Sequence, residues 1–265
     1  MKASKAVKIW LDYHRAHSRP STARAYEQFI STFGQQYSQT FMICPNDILE
    51  YMNRITEGLK PNTIRTKFAF LHAFFNFIRF NIDEDFINPC DTKMLRKLFR
   101  PREIRRWDIL EKEMVDEIIF RTMNNRNRLM LELMARGGLR IGEVLKLRAG
   151  DIQDRKLVLR DPKSGRGVEF AFIPQKVADR LKEYANEKCK DANERIFPIG
   201  YEAARRAVAK SGRLVGIKLC PHDLRRHAAT FASRSGVPLE VVSKVILRHA
   251  NIATTKSFNC IPSKL

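Results

Sequence analysis

The chain reads His-Asp-Leu-Arg-Arg-His at positions 222–227, Leu-Arg-His at 247–249 and phenylalanine at 258, nine residues beyond His249. An earlier stretch, Gly-Leu-Arg-Ile-Gly-Glu-Val at 138–144, contributes another arginine and an acidic residue. Planar guanidinium groups bind phosphate oxygens with paired hydrogen bonds, and imidazoles accept or donate protons near neutral pH. The residue types in these segments therefore predict a phosphate-binding site assembled from parts far apart in the chain.

The overall charge indicates an anionic partner. The 265 residues include 49 Lys and Arg against 29 Asp and Glu, which leaves a formal net charge of +20. Cations that neutralise nucleic-acid phosphates release condensed counterions, so such an excess adds affinity for a polyanion without any base contact. Ribosomal, membrane-surface and DNA-binding proteins all share this property. Charge therefore favours nucleic acid over small substrates without selecting one kind of nucleic acid.

Cysteine usage and hydropathy indicate the compartment. The five cysteines are scattered and form no Cys-x-x-Cys pair, which is typical of a reducing environment. No stretch approaches the roughly 18 consecutive apolar residues of a membrane span, and the N-terminus has no signal-peptide pattern. We expect a cytoplasmic, nucleoid-associated protein that contacts no membrane.

Residues 1–100 show helical periodicity only. Four helices are predicted: the second follows a capping signal at Ser21 and Thr22, and the third and fourth open at Pro45 and Pro61. The apolar stripe of the fourth helix is wide enough for the centre of a small bundle, and its many aromatic residues are predicted to be core. We therefore predict a four-helix domain.

Basic side chains on this domain fit either a solvated face or a phosphate-binding face. The overall positive charge favours phosphate contact. The candidates for nucleic-acid contact are Lys60, Arg65, Lys67, Arg79 and, in the second half of the chain, Arg226.

A change of composition separates the two halves of the chain. Residues 93–106 are basic and polar, which suits a linker that follows DNA. We place the linker itself at 101–108, with the domain boundary near residue 105. The second domain then covers residues 109–265.

The second domain mixes helices with strands. Helical segments are predicted at 111–123 and 126–136, and Gly137 with Gly138 ends the second of them. Strand-like stretches follow at 156–160 and 168–173, joined by a loop rich in turn-forming residues. The predicted fold class is mainly α with a small β-sheet.

Together these motifs resemble the tyrosine recombinases, also called the phage integrase family. The resemblance covers residues 138–258: Gly-Leu-Arg-x-Gly-Glu, a hairpin lysine, His-x-Leu-Arg, and a histidine followed at nine residues by the nucleophile position. It implies an N-terminal helical core-binding domain of the SAM-like type and an α+β catalytic domain. It also implies DNA strand cleavage and rejoining through a 3′-phosphotyrosine, with no metal, ATP or other cofactor.

The resemblance implies which residues bind the phosphate. Arg140 and Arg225 match the two arginines of the family, whose guanidinium groups hold the charge that accumulates in the transition state. Glu143 matches an acidic position that orients neighbouring basic groups.

The resemblance also implies which residues move protons. His222 matches the acceptor of the nucleophile's proton, and His249 matches a position that donates to a phosphate oxygen. Lys163, in the hairpin loop, matches the lysine that protonates the departing 5′ oxygen, and Arg166 lies close to it as a substitute cation. Phe258 stands at the nucleophile position, where the family has tyrosine.

This chain departs from the family at two motif positions. A benzene ring at Phe258 cannot attack phosphorus, and no tyrosine lies between 222 and 265. Ser257, Thr254 and Thr255 are nearby hydroxyls, but their higher pKa and shorter reach disfavour them as nucleophiles. At the second position, Arg248 stands where the family usually has glycine.

These departures lead to two expectations. The chain as written is expected to bind DNA without cutting it, either because Phe258 was introduced to trap the complex or because the protein is an inactive relative. The chain ends seven residues after Phe258, so the longer C-terminal segment that such proteins often exchange with a neighbouring protomer is expected to be shortened.

Other classes of function remain as alternatives. Cys220, His222, His227 and His249 are potential metal ligands, but a five-residue spacing between two of the histidines and the absence of a Cys pair disfavour a metal site. A regulatory DNA-binding protein with a native Phe258 and a basic RNA-binding protein are the two rivals. The expected partners are duplex DNA with an inverted-repeat core site and further copies of the chain, from dimer to tetramer.

Overall fold

The computed structural model describes residues 2–37, 42–99, 108–160, 167–249, 251–252 and 255. The chain forms two compact units, Met1–Arg105 and Arg106–Leu265, called here the N-terminal and C-terminal units. Each unit has its own buried apolar core.

The described part of the N-terminal unit is helical. Pro20, Pro45 and Pro61 each occupy the first turn of a helix, where a residue without a backbone N–H costs no hydrogen bond. The capping prediction for Ser21 and Thr22 is wrong, because both residues already lie inside the first turn. The helices are α1 (Ala3–His17), α2 (Pro20–Gln36), α3 (Pro45–Thr56), α4 (Pro61–Asn81) and α5 (Lys93–Leu98).

Helix α4 is the central element of the N-terminal unit, as its apolar stripe predicts. It packs against α1, α2 and α3. Its residues Phe68, Phe74 and Phe75 are buried, and Phe33 of α2 meets the last two rings edge to face. The core prediction holds for most aromatic residues of the helix, but Phe80 at its end is 68% exposed.

The basic stretch at 93–106, which the sequence predicts to be linker-like, begins with a helix instead. Residues 93–98 form helix α5, and the side chain of Thr92 accepts a hydrogen bond from the backbone N–H of Leu95. Leu95 and Phe99 are buried in the N-terminal core. The composition predicted a linker wrongly here, because two apolar residues four positions apart suffice to attach a short helix to a core. The predicted linker at 101–108 lies outside the described residues, apart from residue 108.

The C-terminal unit combines helices with a three-stranded antiparallel sheet in the order β1-β2-β3. This arrangement confirms the predicted fold class. The helices are α6 (Lys112–Arg121), α7 (Asn125–Gly137), α8 (Ile141–Val144), α9 (Gln175–Lys188), α10 (Tyr201–Arg213), α11 (Pro221–Arg234) and α12 (Leu239–Val241). The strands are β1 (Ile152–Gln153), β2 (Lys156–Arg160) and β3 (Val168–Phe172). Sequence periodicity missed β1, because two residues are too few to show alternation.

Three features of the C-terminal unit position the candidate site. Helix α7 ends at Gly138, whose φ of +61° is the left-handed conformation that glycine adopts most easily. A Cβ there would lie 3.0 Å from the carbonyl oxygen of Ile246, so the chain approaches closely at this point. Helix α11 packs against α7. A π-helical turn, Val242–Ile246, leads from α12 into Leu247.

Among the described residues, no helix combines the length and the apolar character needed to cross a bilayer.

Candidate active site

The first arginine of the candidate site, Arg140, begins helix α8. Its backbone N–H donates to Glu143 Oε2 at 2.9 Å, and its Nη1 donates to Glu143 Oε1 at 2.6 Å. This capping arrangement explains why the pattern Arg-x-x-Glu starts a helix here. Glu143 is buried and accepts both hydrogen bonds from Arg140.

The second arginine, Arg225, lies on helix α11 and is 1% exposed. Its Nη1 donates to the carbonyl oxygen of Gly138, and its Nη2 donates to that of Leu247. Its buried Nε has no hydrogen-bond partner in the described structure. Arg225 therefore ties together the end of α7, helix α11 and the turn before His249.

Burial lowers the pKa of Arg225 to about 9, and the neighbouring positive charges of Arg140 and Arg248 act in the same direction. The group is still protonated at neutral pH. Both hydrogen-bond acceptors that hold it are uncharged carbonyl oxygens, so its positive charge is not cancelled by a direct carboxylate contact through either Nη. An anion placed beside it would restore the charge balance.

The two candidate histidines lie in the same positive field. Desolvation lowers the pKa of His222, helped by the charges of Arg226, Arg225 and Arg140. Desolvation also lowers the pKa of His249 to about 4, helped first by Arg225 and Arg140 and then by His222 and Arg248. Both imidazoles are therefore neutral at pH 7, and a neutral imidazole can accept a proton or donate through one N–H.

The ring of His249 is held by two hydroxyl residues. Its Nδ1 lies 2.9 Å from Thr255 Oγ1, which in turn donates to Ser243 Oγ at 2.9 Å. The backbone N–H of His249 also donates to the carbonyl oxygen of Ser243 at 2.9 Å. Thr255 and Ser243 are completely buried. These contacts fix the plane of the imidazole, so that Nε2 points away from the two hydroxyls.

Helix α11 begins with a second capping arrangement. The backbone N–H of Cys220 donates to Asp223 Oδ2 at 2.8 Å, and Arg226 Nη1 donates to Asp223 Oδ1 at 2.8 Å. Arg226 is buried, so its predicted role as a DNA contact has to compete with this ion pair. His227 is buried too and its Nδ1 lies 2.8 Å from the carbonyl oxygen of Leu110, which is a packing role.

The predicted contact residues of the N-terminal unit divide into two kinds. Lys60 and Arg65 are exposed. Lys67 donates to the carbonyl oxygen of Ile55 at 3.3 Å, and Arg79 lies 3.5 Å from Asp91 Oδ2. The first two present exposed surface to a ligand, whereas the last two are partly engaged within the unit.

Several predictions fall outside the described residues. Lys163, Arg166 and Phe258 are among them. Their roles therefore stay predictions. Within the described ranges, no three His, Cys, Asp or Glu side chains cluster in a way that could hold a metal ion.

Sequence reasoning missed four contributors to this pocket. Glu169 on β3 lies 3.8 Å from Arg248, Thr255 and Ser243 hold His249, and the carbonyl of Gly138 accepts from Arg225. A backbone carbonyl and two hydroxyls carry no motif of their own. Asp223, by contrast, follows Pro221 at a spacing typical of a helix start, so its capping role was detectable.

Solved structures of similar fold include integrase complexes with DNA. The Tn1549 transposon integrase in complex with transposon right-end DNA has a TM-score of 0.77 at 19% identity, covering 100% of this chain and 96% of that one. A lambda integrase dimer bound to a core site has a TM-score of 0.73 at 16% identity, covering 100% and 98%. At these identities the likeness establishes the fold.

Similar sequences are tyrosine recombinases. XerA of Pyrococcus furiosus is 27% identical over 260 residues, covering 92% of this chain and 85% of the relative. A tyrosine recombinase of Pseudothermotoga lettingae is 28% identical over 228 residues, covering 80% and 76%. The sequence model of the phage integrase family matches residues 109–261. Since this match spans more than half of the sequence, the chain belongs to the phage integrase family, the family of the tyrosine recombinases.

Proposed function

We propose that the protein binds duplex DNA and is built for site-specific recombination by a 3′-phosphotyrosine route, with Phe258 blocking the covalent step in the chain as written. The observation that carries this proposal is the convergence of Arg140, Arg225, His222 and His249. They come from the start of α8, from α11 and from the turn after the π-helical segment, yet the positive charges of Arg140 and Arg225 lie close enough to lower the pKa of both imidazoles.

The phosphate-binding step follows from the charges. Arg225 is a buried cation held by neutral carbonyls, and Arg140 is a partly exposed cation oriented by Glu143. A phosphodiester seated against both would gain charge-assisted hydrogen bonds in a site that is already organised. Since the arginines do not need to move far, they also stabilise the extra charge of a pentavalent transition state.

The covalent step needs a phenol at position 258. In the Phe258→Tyr variant, the phenolic oxygen would bond to phosphorus as the bond from phosphorus to the 5′ oxygen breaks. His222 would accept the phenolic proton, Lys163 would donate a proton to the leaving 5′ oxygen, and His249 would donate to a nonbridging oxygen. The phosphotyrosine keeps the free energy of the phosphodiester, so a second strand can reverse the reaction without ATP.

The assignment of partners rests on the relatives. The solved neighbours include DNA complexes, one of them a dimer on a core site. We extend this to a core site with inverted repeats, occupied by two to four copies of the chain near the nucleoid in the cytoplasm. The net charge of +20 supports duplex binding by counterion release.

The chemical test is Phe258→Tyr. On a DNA that carries the proper site, this variant should form a protein–DNA adduct that survives denaturant and forms in EDTA. The unsubstituted chain should bind the same DNA without an adduct. If Phe258→Tyr binds tightly and forms no adduct on any cleavable site, the protein is a DNA-binding regulator instead.

The leaving-group role of Lys163 has its own test. In the Phe258→Tyr background, Lys163→Ala should slow cleavage of ordinary DNA but not of DNA in which sulfur replaces the bridging 5′ oxygen, because a thiolate leaves without a proton. If sulfur gives no rescue, Lys163 is not the acid, and Arg166 or His249 takes its place in the proposal.

A further inference from the structure

Arg248 has an unusual backbone for an arginine. Its φ is +49°, in the left-handed region that residues with a Cβ seldom adopt. Glycine suits such a position because it has no Cβ to clash. The sequence therefore places a large charged side chain where the backbone itself favours the smallest residue, and the contacts of that side chain have to outweigh the strain.

The Arg248 side chain is 4% exposed and contacts four parts of the C-terminal unit. Its Nη2 donates to Glu143 Oε2 on α8 at 2.8 Å. Its Nε lies 3.8 Å from Glu169 Oε2 on β3. Its Nη1 donates to the carbonyl oxygen of Ile246 at 2.8 Å. Its Nη2 also donates to the carbonyl oxygen of Gly138 at 3.4 Å, the oxygen to which Arg225 donates. Arg248 thus joins helix α8, strand β3, the end of α7 and its own turn.

Both carboxylates that Arg248 contacts lie within electrostatic reach of Arg225. Glu143 and Glu169 each act to raise the pKa of Arg225, against the lowering by burial and by neighbouring cations. Their side chains are 7% and 10% exposed, so water screens them weakly. Without Arg248, the carboxylates of Glu143 and Glu169 would interact more strongly with Arg225. The Nε of Arg225 has no hydrogen-bond partner in the described structure.

We propose that Arg248 is a positioning residue that engages Glu143 and Glu169 and thereby keeps the charge of Arg225 available for a phosphate. It has a second effect on geometry. The peptide that leads into Arg248 carries the Leu247 carbonyl to which Arg225 donates, and the next residue is His249. Anchoring the Arg248 side chain therefore fixes the orientation of both groups. This inference rests on the proposed function, since it concerns how the same pocket receives phosphate.

The test uses the full chain with Phe258→Tyr and compares Arg248→Gly with Arg248→Gly/Glu169→Gln. Arg248→Gly removes the backbone strain and also the cation that contacts Glu143 and Glu169. We expect the single-turnover rate of adduct formation at saturating DNA to fall about 10- to 100-fold, with duplex affinity changed less than about threefold because the exposed cations remain. Adding Glu169→Gln should recover much of the rate, because a neutral amide no longer competes for Arg225.

This rescue separates positioning from simple packing. If Arg248 only packs against its neighbours, adding Glu169→Gln lowers the rate of adduct formation further. A rate for Arg248→Gly within about twofold of its parent, or a further fall on adding Glu169→Gln, overturns the proposal. Should Arg248→Gly not fold, Arg248→Lys and Arg248→Lys/Glu169→Gln replace the pair. Lysine binds one carboxylate as a point charge. We therefore expect Arg248→Lys to lower the rate of adduct formation less than Arg248→Gly does, and Glu169→Gln to raise it again.

A second readout does not depend on cleavage. The pKa of His249, followed by NMR of the free protein without DNA and assigned with His249→Gln, should rise in Arg248→Gly and fall back when Glu169→Gln is added. His17, in the N-terminal unit, is the internal control. If Phe258→Tyr forms no adduct but His249 follows this pattern, the proposed recombination chemistry fails and the role of Arg248 in the charge balance stands. If the pKa of His249 is the same in Arg248→Gly as in the parent, that role is refuted.

Discussion

Two arginines of the candidate site in the C-terminal unit and the candidate contact cations of the N-terminal unit lie in different environments. In the N-terminal unit Lys60 and Arg65 are exposed, and Arg79 is half-exposed beside Asp91. In the C-terminal unit Arg225 and Arg248 are almost completely buried, and each is held by hydrogen bonds to groups distant in sequence. Basic side chains are therefore exposed to solvent in one unit and fixed by buried hydrogen bonds in the other.

The difference is one of organisation and screening. An exposed cation is surrounded by water and counterions, so its effect on a DNA complex is small and depends on salt. A buried arginine has already lost its water, and its direction is set by the fold. We expect the N-terminal cations to tune affinity and the buried ones to control chemistry and stability.

The largest expected effect comes from Arg225. In the Phe258→Tyr background, Arg225→Ala should lower the rate of adduct formation by about 100-fold or more, because loss of one preorganised charge costs about 3 kcal/mol in the transition state. The measurement is single-turnover adduct formation at saturating DNA. Lys188→Ala, an exposed cation of the same unit on α9, is the control and should react normally. Adduct formation that persists without Arg225 would remove it from the site.

The next effect concerns stability. Glu143→Gln breaks a buried pair with Arg248 and a capping contact with Arg140, and should lower the free energy of unfolding by about 3 kcal/mol. The exposed pair between Lys188 and Glu187 is the counterpart, and Glu187→Gln should cost less than about 1 kcal/mol. Urea titrations of both variants measure the contrast. Equal losses would show that burial does not set the strength of these pairs.

A smaller effect is expected from pH. The pKa of His249 is about 4 in the folded protein, compared with 6.5 for an unperturbed histidine. Between these pH values His249 binds a proton in the unfolded chain but not in the folded chain. The free energy of unfolding therefore falls as pH is lowered through this window. After allowance for partial exposure, His249 should account for about 1–2 kcal/mol of the loss.

The control for this pH effect is His249→Gln, which should flatten the stability curve between about pH 6.5 and 4. Glu143, whose pKa is lowered against the effect of burial by Arg248 and Arg140, loses its contribution only at more acidic pH. Unfolding titrations at a series of pH values distinguish the two windows. A His249→Gln curve parallel to that of the parent would mean that His249 is not desolvated in the folded state.

The smallest effect is expected at the exposed cations. Arg65→Ala should weaken duplex binding several-fold for all sequences alike, and reduce the log–log salt slope by about 1. Arg79→Ala should change the slope less, because Asp91 already partly neutralises Arg79. Binding measured at several salt concentrations tests both variants. A sequence-dependent loss for Arg65→Ala would indicate a base contact rather than a phosphate contact.

Much of the fold was accessible from periodicity and turn chemistry. Helices that open at Pro45 and Pro61, the helix end at Gly138 and the two longer strands all follow from local rules. The errors arose where local signals are weak. The short helix Lys93–Leu98 reads as polar because its attachment depends on few apolar residues, and Phe80 reads as core although its ring is largely exposed.

For the site, the sequence determined which side chains are chemically suited to phosphate. The resemblance to the family, carried by residue type, order and spacing, named Arg140, His222, Arg225 and His249. It also marked Arg248, together with Phe258, as a departure from that pattern, and gave no physical reason for Arg248.

The tertiary structure decided what those residues do to one another. The carbonyls that hold Arg225, the hydroxyls that hold His249 and the two carboxylates that Arg248 bridges come from separate elements. Hydrogen bonds and Coulomb interactions act through distances of a few ångströms in space, whereas sequence patterns record only positions along the chain. Burial, which gives these charges their strength, is likewise a property of the folded molecule.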